Sequence, residues 1–179
     1  MTKTLFVIAH PNIKQSIGSK TIIEAFKKLN MDTEYDNIYE LYPDYNINVK
    51  AEQEKLLKAD AIVLQFPFYW YNSPSLLRKW FEDVLEHGFA YGSNGVALKG
   101  KKLIVSFTTG AALNSYSESI PGSCTLDDLV KGFQQLANLC GLEWCGFVAT
   151  GSITYGVSAG SVASDLEKHA KQLADKINA

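Results

Sequence analysis

Three short runs, residues 4–9 (TLFVIA), 61–66 (AIVLQF) and 103–107 (LIVSF), are almost wholly apolar and lack a helical period. A strand with one wet face alternates apolar and polar residues. Unbroken apolar runs of this length belong instead to strands covered on both faces, as in a parallel sheet held between helical layers. The segments between them supply the helices. Ile22, Ala25, Phe26 and Leu29 fall at helical spacing, the charged stretch 50–58 reads as helix, and Leu77, Trp80, Phe81 and Val84 share one face behind Ser73 and Pro74, an N-cap and first-position pair. Thr125 opens another helix with Asp128 set for a capping box; its stripe runs through Leu126, Leu129, Val130, Phe133, Leu136, Ala137 and Cys140 and stops at Gly141. Residues 33–39 predict a weaker strand and 144–149 the last one, with Val162, Leu166, Ala170, Leu173 and Ile177 marking the closing helix. Five strands alternating with about five helices predict an α/β doubly wound fold. That strand number favours the flavodoxin-like three-layer sandwich, a five-stranded parallel sheet of order 2-1-3-4-5 flanked by helices.

The 179 residues read as one domain over 1–179, without repeats or a linker-like stretch. Seventeen basic residues against nineteen acidic ones, with no basic run, argue against a nucleic-acid backbone as partner. The apolar run in the opening MTKTLFVIAHPN is too short for a signal peptide or a membrane span. Three cysteines without a CxxC exclude a disulfide framework and suit a reducing compartment, so a cytoplasmic protein is expected.

Ligands of such sheets bind outside the carboxyl ends of the strands where strand order reverses, here between the first and third strands. Three loops therefore matter. The first, residues 10–19, leads into a helix whose N-terminal N–H groups and dipole suit an anion; Ser16 and Ser19 add hydroxyls, Gly18 allows close approach, and His10 can donate to a phosphate oxygen. It is neither GxGxxG nor GxxxxGK[ST], and Ser and Gly are also common at ordinary helix starts. The second loop holds five aromatic rings in six positions, Phe66-Pro67-Phe68-Tyr69-Trp70-Tyr71. Aromatic clusters are most often core, but a strand-to-helix loop lies at the surface, which favours a flat ligand over Pro67 and Phe68 with Trp70 and Tyr71 nearby. The third opens Thr108-Thr109-Gly110-Ala111, with hydroxyls and N–H groups suited to a ligand atom that becomes anionic, and runs on to Cys124 with Tyr116 as its phenol. A phosphate cradle, an aromatic bed and a donor-rich loop together point to FMN.

The block Gln65-Phe66-Pro67-Phe68-Tyr69-Trp70-Tyr71-Asn72-Ser73-Pro74, followed by Leu77, Lys79, Trp80 and Phe81 and then Gly88-Phe89-Ala90-Tyr91-Gly92, resembles the NAD(P)H:quinone oxidoreductase family of flavodoxin-like flavoenzymes. Ala9-His10-Pro11 with Ser16, and Thr108-Thr109-Gly110, match as well. The likeness extends over residues 4–147 and is nearest to the short bacterial forms, which include drug-activity modulators and ancillary subunits of potassium efflux systems. It implies a homodimer with one flavin per subunit, FMN being favoured by the shorter build with FAD as the alternative, and NAD(P)H as the electron donor. A quinone or similar flat acceptor takes the electrons in the same pocket, azo and nitro compounds being alternative acceptors. It also implies that His10, Ser16, Ile17 and Gly18 hold the phosphate or ribityl side, and that Pro67, Phe68, Trp70, Tyr71, Thr108, Thr109, Gly110 and Ala111 line the ring system. Tyr116 would assist charge development on the flavin, and Tyr91 would line the acceptor pocket of the neighbouring subunit. A regulatory flavoprotein subunit touching a membrane transporter is the alternative. No histidine follows Tyr116 within the stretch 117–123, where longer family members carry one.

The remaining polar candidates read blandly. His87 follows a helix end and suits its dipole. His169 borders the apolar stripe of the last helix and is expected to pack. Glu82 and Asp83 sit on a solvated face, and no metal-ligand spacing is present.

Overall fold

The computed structural model describes residues 2–179. Its five strands, β1 (Thr4–Ile8), β2 (Thr33–Asn37), β3 (Ala61–Pro67), β4 (Lys102–Thr108) and β5 (Glu143–Thr150), form one sheet of order β2-β1-β3-β4-β5 in which every pairing is parallel. Six helices connect and cover them: α1 (Gly18–Lys27), α2 (Ile38–Leu41), α3 (Val49–Lys58), α4 (Ser75–Val84), α5 (Leu126–Leu139) and α6 (Ala159–Asn178). The three-layer architecture and strand order expected from the apolar runs are those observed. Among the described residues no helix is long and apolar enough to cross a membrane.

Alternate side chains of the central strands feed two cores. Leu5, Val7, Leu64, Phe66, Val105 and Phe107 pack under α3, α4 and α5, while Phe6, Ile8, Val63 and Ile104 pack under α1 and α6. Burial on both faces explains why these strands read as continuous apolar runs. The capping box on α5 is present as expected: Thr125 Oγ1 accepts the Asp128 N–H at 3.1 Å, and Asp128 Oδ2 accepts the Thr125 N–H at 3.1 Å. α4 starts one residue later than expected, with Pro74 as its cap and Ser75 its first residue.

The regular pattern is broken in two places. At the β4–β5 pairing, Leu103 faces Trp144 but Val105 faces Phe147, so Cys145 and Gly146 stand opposite Ile104 alone. Gly146 takes the left-handed conformation (φ 80°) that such a bulge needs. The second break is a charged cluster inside the α3/α4 face. Asp36 and Glu52 are both buried, and Lys55 Nζ lies 2.6 Å from each of Asp36 Oδ1 and Glu52 Oε1. Tyr42 Oη donates to Glu52 Oε1 at 2.6 Å and Trp80 Nε1 to Glu52 Oε2 at 2.7 Å.

Candidate functional site

The loops at the carboxyl edge of the sheet are extensions of its hydrogen bonding. Ala9 N–H donates to Gln65 O at 2.8 Å and Phe68 N–H to Thr108 O at 2.8 Å. Thr109 N–H donates to Thr150 O at 3.0 Å, and Ile153 N–H to Thr109 O at 2.9 Å. These bonds hold four loops around a cavity of about 580 Å³, within the usual range for a small-molecule site.

One end of the cavity is the start of α1. The first-turn N–H groups of Ile17 and Gly18 have no acceptor within the helix and point outward with the positive end of its dipole. Ser16 Oγ accepts the Ser19 N–H at 3.1 Å, which fixes that first turn. Gly18 is buried, and a Cβ there would sit 3.0 Å from Thr108 Cγ2 and 3.1 Å from Ile153 Cγ2, so any side chain would press both aside and glycine suits a helix that starts this close to β4. His10 Nδ1 accepts the Asn12 N–H at 3.0 Å, which leaves the ring proton on Nε2. Burial lowers the His10 pKa, so near neutral pH it offers a hydrogen bond and no charge. Among the described residues no charged side chain lines the cavity. An anion held here is therefore met by oriented neutral donors and the helix dipole.

The other end is flat and apolar: Pro67, Phe68 and Tyr69 from the β3 loop, with Thr108, Thr109 and Gly110 facing them. The aromatic run divides by depth. Phe66 and Phe68 are buried and stack with Phe107, at 6.0 and 4.8 Å between ring centroids. Trp70 and Tyr71 are 94% and 65% exposed. They occupy the central positions of a Tyr69–Asn72 turn closed by Asn72 N–H to Tyr69 O at 3.0 Å, with φ of 50° and 62°. Left-handed backbone at two successive residues marks a type I′ turn, which favours Asn and Gly; two aromatic residues there store strain.

Nine of the residues singled out in the sequence, His10, Ser16, Ile17, Gly18, Pro67, Phe68, Thr108, Thr109 and Gly110, line this one cavity. Trp70 faces a neighbouring hollow of about 590 Å³ with Tyr39, Tyr45 and Arg78, and Tyr69 borders both. Tyr71, Ala111 and Tyr116 line a third, of about 520 Å³, with Cys124. Tyr91 borders none of the three within its own chain; its ring packs edge-on against His87 at 5.5 Å. The third loop offers fewer donors than its sequence suggests, because the Thr109 N–H is spent on Thr150 and the Thr109 hydroxyl donates to Ala111 O at 2.8 Å. Glu82 and Asp83 pair with Arg78 and Lys79 one turn earlier in α4. His169, expected to pack at a boundary, is buried and hydrogen-bonded through both ring nitrogens. A fourth loop, which the strand-order rule does not single out, completes the lining: Ile153, Thr154, Tyr155 and Gly156, after β5, close the α1 end of the cavity. Its signal was the Gly151–Gly156 pair beyond a strand that ends at the same sheet edge.

A family model described as the flavodoxin-like fold matches residues 2–177. The uncharacterized NAD(P)H oxidoreductase YrkL of Bacillus subtilis (strain 168) is 36% identical, over 99% of this chain and 98% of its own. The glutathione-regulated potassium-efflux system ancillary protein KefF of Enterobacter sp. (strain 638) is 42% identical over 141 residues, 78% of each chain. The crystal structure of general stress protein 14 from Treponema denticola, in complex with FMN, superposes with a TM-score of 0.87 at 31% identity and covers 98% of both chains.

Proposed function

This chain belongs to the flavodoxin-like fold family, and from that premise we propose that it is an FMN-dependent NAD(P)H:quinone oxidoreductase working as a homodimer. The observation that carries the proposal is a single cavity with an uncharged anion cradle at one end and a flat aromatic bed at the other. FMN has that shape and that polarity, and the FMN complex of the Treponema protein supports the choice. Bound FMN would supply two-electron chemistry between a nicotinamide donor and a flat acceptor.

The chain's own residues bind and orient. Ile17 and Gly18 N–H, the Ser16 hydroxyl and His10 Nε2–H hold the phosphate without a formal charge. Pro67, Phe68 and Tyr69 form an apolar wall that keeps water from one side of the ring system, and Thr108, Thr109 and Gly110 line its edge. Tyr116, which shares a neighbouring hollow with Tyr71 and Ala111, is assigned to stabilise charge at the edge that would become anionic. Tyr91, outside the hollows of its own chain, is assigned to the acceptor pocket of the neighbouring subunit.

The visible spectrum of the purified protein, followed by anaerobic titration with NADPH and NADH, tests the reading. Bands near ~370 and ~450 nm that bleach with nicotinamide and return with a quinone are expected. A protein that stays colourless with added FMN or FAD refutes it. A second reading, a regulatory subunit on a potassium efflux transporter, is favoured by the KefF likeness. Co-purification with such a transporter tests that role, and its failure beside fast quinone turnover removes it.

A further inference from the structure

Below the cavity floor, on the α1/α6 side of the sheet, five polar side chains form one buried string. His169, in the middle of α6, is 1% exposed, with Nε2 2.7 Å from Ser106 Oγ on β4 and Nδ1 2.9 Å from Thr150 Oγ1 at the end of β5. Ser106 Oγ donates to Gln65 Oε1 on β3, and Gln65 Nε2 donates to Ser19 Oγ in the first turn of α1 at 3.2 Å. The single hydroxyl proton of Ser106 is committed to Gln65, so His169 Nε2 is the donor to Ser106 and Nδ1 accepts from Thr150. Every donor then points the same way, from β5 across β4 and β3 towards α1. Bonds aligned head to tail polarise one another.

An apolar residue at 169 would complete that face at lower desolvation cost, since each buried polar group forfeits water. The placement gives the string a use. Gln65 and Ser106 are register partners, and the next pair on the same face, Pro67 and Thr108, lines the cavity. Ser19 follows Gly18, and its N–H holds the Ser16 hydroxyl. The string thus lies directly beneath the cavity floor and touches α1 and β5, whose first turn and following loop frame the anion-binding end, as well as β3 and β4, which lead into the flat wall.

We infer that His169, as a neutral Nε2–H tautomer, is a positioning residue for the phosphate end of the cofactor cavity, seating the first turn of α1 against the three strands through Ser106, Gln65 and Ser19. The inference rests on the proposed flavin function. It also leaves Ser19 with its own hydroxyl proton to donate, so the string ends beneath the anion cradle as a donor. Burial takes the His169 pKa down to about 3, so the ring stays neutral across any assay pH.

The test compares FMN with riboflavin, which lacks only the phosphate, on full-length protein stripped of flavin and reloaded. For His169→Phe, FMN affinity is expected to fall about tenfold, the effect of one well-placed hydrogen bond, with riboflavin affinity held within about twofold. His169→Gln, which keeps a donor and an acceptor, should restore FMN binding to within about threefold of wild type. Ser106→Ala breaks the same string with the loss of one oxygen atom, and should show the same selective loss even if the Phe variant fails to fold. Equal losses for both flavins, or no loss in Ser106→Ala, overturn the inference and leave the flavin reading intact. Wild-type protein that binds neither flavin overturns the reading and the inference with it. Nitrogen-15 NMR of the His169 ring should show the proton on Nε2; a proton on Nδ1 contradicts the direction assigned to the string.

Discussion

Asp36→Asn should make the protein relatively more stable as pH rises from 6 to 8. Asp36 is the carboxyl whose charge the interior opposes. Burial, then the hydrogen bond and negative charge of Glu52, push its pKa up to about 7 against the pull of Lys55. Its second oxygen, Oδ2, is buried without a hydrogen-bond partner, so no donor there favours the charged form. Burial opposes the Glu52 charge as well, but hydrogen bonds from Asp36, Lys55, Tyr42 and Trp80 outweigh it and hold the Glu52 pKa below its usual value. The sign follows from Asp36 being protonated when folded and ionised when unfolded: its contribution is complete below about pH 4 and is lost as pH rises through about 7. Across the window from pH 6 to 8, centred on that value, the folded state holds on average half a proton more, which amounts to about 1.4 kcal/mol lost over two pH units. The substituted amide is neutral throughout, of the same shape, and keeps an oxygen for Lys55. His10 and His169, whose pKa values burial depresses, destabilise the fold on the acid side, and they do so equally in both proteins. The difference between the two stability curves therefore isolates Asp36. Urea unfolding of wild type and variant at pH 6, 7 and 8 should show a gap that moves by about 1.4 kcal/mol in favour of the variant, or roughly 3–6 °C in Tm. Parallel curves would refute the raised Asp36 pKa.

Three more substitutions probe the site and its scaffold. Gly18→Val drives a side chain against Thr108 and Ile153, and FMN affinity should fall more than ~tenfold while Tm moves by only a few degrees; calorimetric titration with FMN reads both the loss and any residual sites. Tyr116→Phe should slow flavin reduction by NAD(P)H about tenfold or more in stopped-flow traces, with FMN affinity unchanged, since the phenol acts on developing charge. Thr125→Ala removes the N-cap of α5 and should cost about 1 kcal/mol by urea unfolding, with no change in the flavin spectrum.

The central strands are legible in the sequence because β1, β3 and β4 are covered on both faces, which leaves no polar alternation to misread. α2 is not, since the four residues Ile38–Leu41 are too short to show a period. The start of α4 is misplaced by one residue because Pro74 serves equally well as a cap or as a first helical residue. In the site, the loops after β1, β3 and β4 are found by the strand-order rule, and nine of the residues singled out meet in one cavity, while Trp70, Tyr71, Ala111 and Tyr116 line neighbouring hollows. The loop after β5 escapes that rule, which points to the centre of the sheet, not to its edge. The buried string leaves a fainter trace: Gln65 and Ser106 are the lone polar residues in otherwise apolar strand runs. Each must find partners: they bond each other, Gln65 reaches Ser19 and Ser106 reaches His169, separations of 46 and 63 residues at which local spacing carries no information.

The bulge at Gly146 sets the phase of everything after it in β5. Trp144 packs on the α4/α5 side and Cys145 on the α6 side; strict alternation from there would send Phe147 to α6 and turn Thr150 away from it. The extra residue shifts the frame by one, so that Phe147 stacks with Phe107 at 5.6 Å and Thr150 meets His169. Lys176 bridges the interruption by donating to Cys145 O at 2.8 Å. A single-residue deletion at 146 would therefore act as a frameshift in three dimensions, exchanging the α5 and α6 faces over the last four residues of the strand. The loop between Gly110 and Cys124 has no such parity to keep. Tolerance to insertion and deletion in this protein should thus divide sharply between these two segments.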